Sequence, residues 1–434
     1  MSVMRRVLIL AYDFPPRGAT GVFRVTKFVR YLPEFGWQPV VVAAAVRGGM
    51  RDEALLAQLP PDLEVIRVDN PFAPGDVTGG QHTAQPGMRA RLRRQLRRAF
   101  IPDPQLLWVP TAVRAAAERI RRGEIDALMT TAPPYSVHVA GLWLKRQFPH
   151  LPWLMDLRDI WSENPTIPDP MTYKLQRAWE QTCLRYADHV TTATDGQRQL
   201  LLRAFDVTTD HITTITNGFD PTDFPMVTAA PASRALRLTH TGSLVGNRAA
   251  ATRGLFEALM ELAAQGMTAD DLEVRLVGVF DPDVYRWAEP LVAQGIVQLA
   301  PFTAYAGAVA EMASAQVLLL ITSDDREGQL SHPNKLFEYF AIGRPILALT
   351  PEGDVARLVR EAGVGQAMPP LATDQIVAAL RRLLADHRAG TLNRVLAQGQ
   401  RFARFERREL TRQLAMQLEA MVTSELTGNI VAIS

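Results

Sequence analysis

Short apolar runs alternate with stretches of helical period along the whole chain. Strands are predicted at Arg6–Ala11, Pro39–Ala44, Leu63–Val68, Ala127–Thr130, Trp153–Met155, His189–Thr192 and Ile212–Ile215. The intervening segments 22–35, 109–122, 134–148, 171–187 and 195–205 carry apolar residues three and four apart, the spacing of a helix with one buried face. A turn-rich stretch and a linker at 226–234 follow, and then the pattern resumes. The second series has strands at Leu236–His240, Leu272–Val277, Ile296–Leu299, Val317–Ile321 and Pro345–Leu349, with helices near 249–264, 283–293, 304–314, 334–341, 354–362 and 373–386. Continuous apolar strands separated by helices are the pattern of a parallel sheet covered on both faces. The fold class is therefore α/β, with two doubly wound, Rossmann-like domains. The first is expected over 1–225 and the second over 226–404. After a helix near 392–402, a last helix from Phe405 carries Leu410, Leu414, Leu418 and Met421 on one stripe, so 405–434 is expected to complete the first domain. Two such domains facing each other would leave a cleft at the carboxyl ends of their strands, where open α/β sheets bind ligands.

Composition narrows the class. Hydrophobic residues make up 47% and charged residues 21%, which fits a soluble protein with ample core. The single cysteine, Cys183, excludes an intrachain disulfide framework and fits a reducing compartment. No apolar run approaches the roughly 20 residues of a membrane-spanning helix, and Val7–Leu10 is too short for a signal peptide. A cytoplasmic location is expected. Residues 1–215 hold 27 Lys+Arg against 21 Asp+Glu, whereas the remainder holds 20 against 24. The excess gathers in 88–100, where Leu92, Leu96 and Phe100 share a helical face among arginines. Such a segment can dock on its own domain or lie on an anionic membrane, here the inner face of the plasma membrane. Nucleic acid is not an expected partner, because the patch has no interleaved aromatics and no recognisable module.

The richest stretch is Ser331–Leu347. It reads as a loop, a short helix opened by Pro333, a turn at Gly343 and a buried strand. A helix N-terminus offers free N–H groups to an anion, and Lys335 adds a full charge in the first turn. Asn334 lies beside it, and Glu338, one turn on, can accept hydrogen bonds from sugar hydroxyls. Together they suit a nucleotide diphosphate; an ordinary helix–strand unit with a solvated Lys and Glu is the plain alternative. Two strand-to-helix junctions carry glycines that let backbone approach a phosphate: Gly18 and Gly21 after the first strand, and Gly242-Ser243 after the strand that opens the second domain. Arg248 follows the latter and could neutralise a diphosphate, or be a solvated helix-start arginine. Neither junction is the GxGxxG of a dinucleotide fold, so a nicotinamide enzyme is not indicated.

Read in order, the loop Asp13-Phe-Pro-Pro with Gly21-Val-Phe-Arg24, the junction Thr131–His138, Asp156-Leu-Arg-Asp159-Ile-Trp161, Thr216-Asn-Gly-Phe-Asp220, His240-Thr-Gly-Ser-Leu244 and Pro333–Pro345 resemble the motifs of glycosyltransferase family 4, the group 1 glycosyltransferases of GT-B fold. The resemblance spans nearly the whole chain. It implies transfer of a sugar, with retention of configuration, from a nucleotide-diphosphate sugar to an acceptor hydroxyl, in the synthesis of a bacterial-type polysaccharide, glycolipid or other glycoconjugate. It implies no metal and no cofactor beyond the donor substrate; Asp324-Asp325 is expected to be a solvated loop pair.

The same resemblance assigns Glu338 to the donor ribose, Lys335 to the diphosphate, and the backbone near Phe302 to the base. It makes Lys335, Arg248, His138 and Asp159 the candidate catalytic groups. Gly18, Gly21, Gly242, Ser243, Phe302, Asn334 and Glu338 are the donor-binding candidates, and Arg24, Asp156 and Arg158 the acceptor-side ones. An internal ion pair within Asp156-Arg158-Asp159 and a structural His138 are the plain alternatives. One position departs from the family. The first Glu of its E-x7-E motif falls on Leu330, and Ser331, His332 and Asn334 are the candidates to replace it. A GT-B nucleotide-sugar epimerase and a non-catalytic sugar-nucleotide-binding protein are the competing readings.

Overall fold

A computed structural model describes residues 4–18, 21–46, 51–70, 100–164, 167, 169–224, 233–392 and 399–433, without the side chains of 399–401 and 425–433. The basic stretch 88–99 and much of the linker lie outside the described residues. The chain forms two compact units, residues 1–216 with 407–434, and residues 217–406.

In the first unit the strands are β1 (Arg5–Leu10), β2 (Trp37–Ala44), β3 (Glu64–Val68), β4 (Ala127–Ala132), β5 (Trp153–Leu157), β6 (His189–Thr192) and β7 (Ile212–Thr214). Its helices are α1 (Val22–Tyr31), α2 (Val109–Arg121), α3 (Ser136–Gln147), α4 (Pro170–Tyr186) and α5 (Asp195–Ala204). All seven strands are parallel, in the order β3-β2-β1-β4-β5-β6-β7. The order reverses between β1 and β4, which makes their carboxyl ends a topological switch point. Helices α2 to α5 cover one face of this sheet around Trp108, Val137, Trp153 and Leu184.

In the second unit the strands are β8 (Leu236–Thr241), β9 (Leu272–Gly278), β10 (Val297–Pro301), β11 (Val317–Ile321), β12 (Ile346–Leu349) and β13 (Gly365–Met368). Its helices are α6 (Asn247–Ala251), α7 (Arg253–Ala264), α8 (Pro282–Ala293), α9 (Tyr305–Ser314), α10 (Arg326–Leu330), α11 (Asn334–Ile342), α12 (Asp354–Ala362) and α13 (Thr373–Arg388). The strand order is β10-β9-β8-β11-β12-β13, again all parallel, with its switch point between β8 and β11.

Several elements differ from expectation for physical reasons. Strand β13 was not read from the sequence because Gly-Gln-Ala-Met is no apolar run; it is an edge strand, with only Met368 buried. The expected helix at 249–264 breaks at Thr252, a buried residue whose hydroxyl donates to the Ala249 carbonyl at 2.7 Å. Asp325 is not a solvated loop residue. Its carboxylate caps α10, accepting from the Gly328 N–H at 3.0 Å, and takes further bonds from Ser323 and Asn247. Burial pushes this carboxyl up, but those hydrogen bonds outweigh it and hold the group below the usual carboxylate range. The unit boundary falls at Thr216/Asn217, ahead of the predicted linker, because Phe219 and Phe224 are packed with Phe337, Phe340 and Phe405 in the second core.

The last helix, α14 (Arg407–Ile433), belongs to the first unit. Leu410, Leu414 and Leu418 are buried against Val25, Phe28 and Val29 of α1, on the sheet face opposite α2 to α5. Leu414 is fully enclosed, so Leu414→Ala should cost the first unit about 2–5 kcal/mol through lost burial and an unfilled cavity. Six of the seven tryptophans lie in that unit, so urea unfolding followed by tryptophan fluorescence reads the change directly.

Candidate functional site

In the second unit the β8–β11 ladder is short. Backbone pairing runs only through Val317↔Leu238 and Leu318↔Thr239, so the strands part ahead of their carboxyl ends. The Leu319 carbonyl sits where pairing has stopped. It accepts from the Tyr339 hydroxyl at 3.0 Å, and His240 Nδ1 lies 3.0 Å from it. This parting is the crevice in which open sheets bind ligands.

Glycine shapes the crevice wall. Gly242 follows β8 with φ +130, a conformation that side chains rarely adopt, and a Cβ there would collide with Cε of Lys335. Gly278, at the end of β9, has no room for a Cβ either, because the Gly242 carbonyl lies against it. The two glycines allow the backbones to close up and the Lys335 stem to lie flat on the loop. Lys335 occupies the first turn of α11, which starts after Pro333 as N-cap and ends at Gly343 in the left-handed conformation (φ 69). Arg248, on α6, is exposed. Among the described residues neither Lys335 nor Arg248 has a carboxylate partner. Both act on His240, whose pKa falls to about 3 through burial first and the two cations next, so the ring is neutral.

The other candidates here are partly exposed. Glu338 and Asn334 are half-buried on α11, and Ser243 is half-buried beside Gly242. Phe302 stands 60% exposed at the end of β10, an apolar ring open to a planar group. Leu330 ends α10. Of its candidate replacements, His332 is buried edge-on to Phe337, with ring centroids 5.8 Å apart, whereas Ser331 is half-buried.

In the first unit the candidates divide differently. Arg24 and Asp156 are 1% and 0% exposed and bind each other by two hydrogen bonds, at 2.8 and 3.2 Å. Thr131 and Thr191 donate to the same carboxylate at 2.7 and 2.8 Å. Arg24 also donates to the Ile215 and Thr216 carbonyls. Burial raises the Asp156 carboxyl, but Arg24 and the hydroxyls more than compensate and hold it below its ordinary value. With every strong partner internal, this pair has nothing left to present to an acceptor. The cluster Asp156-Arg158-Asp159 allowed an internal ion pair, but Asp156 pairs with Arg24 from outside it. The Arg158 guanidinium donates instead to the carbonyls of Ala132, Gly21 and Pro133, tying three loops together. Gly21 leaves the space that the Arg158 guanidinium fills, since a Cβ there would meet it. Gly18 is half-buried and borders residues outside the described set.

His138 is buried, with Nδ1 2.8 Å from the Thr130 hydroxyl, which also accepts from the Trp153 indole at 2.8 Å. Burial pushes its pKa down to about 3; Asp156 opposes this and Arg158 adds to it. It is a neutral core residue in this structure. Asp159 presents an exposed side chain on the loop after β5, yet burial by the surrounding chain raises its carboxyl, with Asp156 adding to the rise and Arg158 and Arg24 opposing it.

That loop rests on a residue the sequence reading missed. Glu180 of α4, 2% exposed, accepts from the Ser162 N–H at 2.9 Å and from the Ser162 hydroxyl. Trp161 donates to Gln176 at 2.5 Å and stacks on Tyr135. A Glu one helix away, at no fixed spacing from the loop, gives no sequence signal.

A cavity of about 410 Å³ lies elsewhere, at the amino ends of β1 to β3 between Arg30, Gln38 and Gln58. It is on the far edge of the sheet from the switch point. Among the described residues no three His, Cys, Asp or Glu side chains gather as metal ligands, and no helix is long and apolar enough to cross a membrane.

Burial lifts the Glu180 pKa to about 7 from 4.5, against the Ser162 bonds. A raised carboxyl pKa favours the folded state below pH 4.5, and that contribution is lost as pH climbs to about 7. The amount is on the order of 3 kcal/mol. Melting wild type and Glu180→Gln from pH 4 to pH 8 should show a wild-type stability that falls relative to the variant across this window and runs level above it.

Residues 21–223 match the family model described as Glycosyltransferase Family 4. No curated protein matches the sequence. Among solved structures, the chain is similar to a glycosyltransferase from Rickettsia africae, with 15% identity, 96% of this chain and 98% of that one covered, and a TM-score of 0.62. It is also similar to the lipopolysaccharide outer core galactosyltransferase WaaB, with 11% identity, 95% and 99% covered, and a TM-score of 0.61. A co-structure of S. aureus MnaA with UDP gives 12% identity, 94% of each chain covered and a TM-score of 0.50. With the two doubly wound parallel sheets, these likenesses give the chain a GT-B fold, and its residues 21–223 match the family 4 model.

Proposed function

We propose that the protein moves a sugar, with retention of configuration, from a nucleotide-diphosphate sugar to a hydroxyl of a saccharide, glycolipid or other glycoconjugate in bacterial-type polysaccharide or glycolipid synthesis. The observation that carries this reading is the pair of cations, Lys335 and Arg248, without carboxylate partners among the described residues and flanking the glycine-walled crevice at the end of β8. Two cations at a switch point suit a diphosphate, and the similar structures include a galactosyltransferase and a UDP complex.

In this reading Lys335 and Arg248 hold the donor diphosphate and stabilise the charge that develops on it as the sugar–oxygen bond breaks. Glu338 accepts hydrogen bonds from the ribose hydroxyls. Phe302 and its neighbouring backbone lie against the base. Ser243 and Asn334 add polar contacts, and half-buried Ser331 takes the place of the carboxylate that Leu330 removes. The acceptor hydroxyl bonds to the anomeric carbon, and its proton passes to an oxygen of the departing phosphate. Of the candidates in the first unit, Asp159 on the loop after β5 is the exposed one. Nothing in this scheme calls on a metal or a further cofactor, so activity should survive EDTA.

The test is a panel of nucleotide sugars, with and without acceptor extracts, read as released nucleoside diphosphate. Lys335→Ala should lower kcat/KM by about 100-fold or more. Glu338→Ala should weaken donor binding about tenfold. A protein that binds none of the panel, or a Glu338→Ala enzyme as active as wild type, would sink the reading.

A further inference from the structure

His240 sits in the β8–β11 crevice and has no assigned role. Its Nδ1 faces the Leu319 carbonyl, which can only accept, so the ring proton is on Nδ1. The opposite nitrogen, Nε2, therefore carries a bare lone pair. It is shut off from solvent and has no hydrogen-bond partner among the described residues. The ring is 3% exposed and feels both Lys335 and Arg248. A buried acceptor without a partner is costly and asks for a donor. An ionised phosphate oxygen cannot supply one, since it also offers only lone pairs. Beside two cations that attract phosphates, the crevice thus holds one group that only a hydroxyl or N–H can satisfy.

We propose that His240 is a specificity-determining residue: Nε2 accepts a hydrogen bond from a hydroxyl of the bound ligand, so the crevice selects phosphates that carry a sugar over bare phosphates. The inference rests on the reading of this crevice as the nucleotide-sugar site. It needs no change in ionisation, because the neutral ring is already the acceptor. The Tyr339 hydroxyl of α11 donates to the same Leu319 carbonyl.

His240→Asn tests it. The amide can keep the bond to Leu319 but cannot reach the Nε2 position. Calorimetric titrations would use wild type and variant with inorganic pyrophosphate and with the nucleotide sugar that wild type binds best. The variant should bind the nucleotide sugar about five- to tenfold more weakly and pyrophosphate unchanged. Equal losses for both ligands, or no loss for either, would overturn the assignment. If the variant does not fold, nitrogen-15 spectra of histidine-labelled wild type answer the same question. The unprotonated Nε2 resonance of His240 should move on adding the nucleotide sugar and stay in place with pyrophosphate, and a resonance unmoved by the nucleotide sugar overturns the proposal. A wild type that binds no nucleotide sugar at all overturns the functional reading first, which separates the two failures.

Discussion

The first unit is organised around one buried ion pair. Arg24 lies in the first turn of α1 and Asp156 near the end of β5, 132 residues away in sequence, and they meet at the carboxyl ends of β4 to β6. Removing two charges from water is costly, and their attraction compensates only when geometry is good and the remaining lone pairs are filled. Here they are: Thr131 of β4 and Thr191 of β6 complete the carboxylate, while Arg24 spends its other N–H groups on the carbonyls that follow β7. Four strands and a helix are thereby held in one register at their carboxyl ends. Arg158 extends the constraint outward by gathering the loops that leave β1 and β4. The loop carrying Asp159 has a fixed floor because of these bonds and the Glu180–Ser162 contact.

The second unit repeats the strand order and resolves its charges in the opposite way. Its polar groups at the switch point are a neutral histidine, a tyrosine hydroxyl and threonines, and Lys335 and Arg248 have no carboxylate partner among the described residues. Glycine at 242 and 278 does the work that the ion pair does in the first unit, bringing neighbouring strand ends together by removing side chains. A cation neutralised internally cannot bind an anion at full strength, because the same charge cannot serve both purposes. The contrast explains why arginines at corresponding sheet ends have different fates: Arg24 is architecture and Arg248 is open to solvent.

Much of this was legible in the sequence. The apolar runs mark twelve of the thirteen strands among the described residues, because a buried parallel strand needs a continuous apolar segment wherever it occurs. The stripe of Leu410, Leu414 and Leu418 announces a helix that must be covered, and Pro333–Pro345 announces a helix with a lysine in its first turn and a glycine at its end. These are local features: period, propensity and capping act over a few residues.

Partnership between distant side chains was not legible. Nothing near Asp156 says that it binds Arg24 and not Arg158, two residues away, nor that Gly21 is small for the sake of a guanidinium. Edge strand β13 escapes a pattern based on burial, and Glu180 is tied to Ser162 only by the way α4 packs. His240 could be quoted as part of a motif, but its tautomer depends on where the β8–β11 ladder stops. The chain alone thus determined the elements, their order and the residue types at each strand end. Only the tertiary structure decided which polar groups satisfy one another and which remain for a ligand, because hydrogen bonding and desolvation depend on position in space.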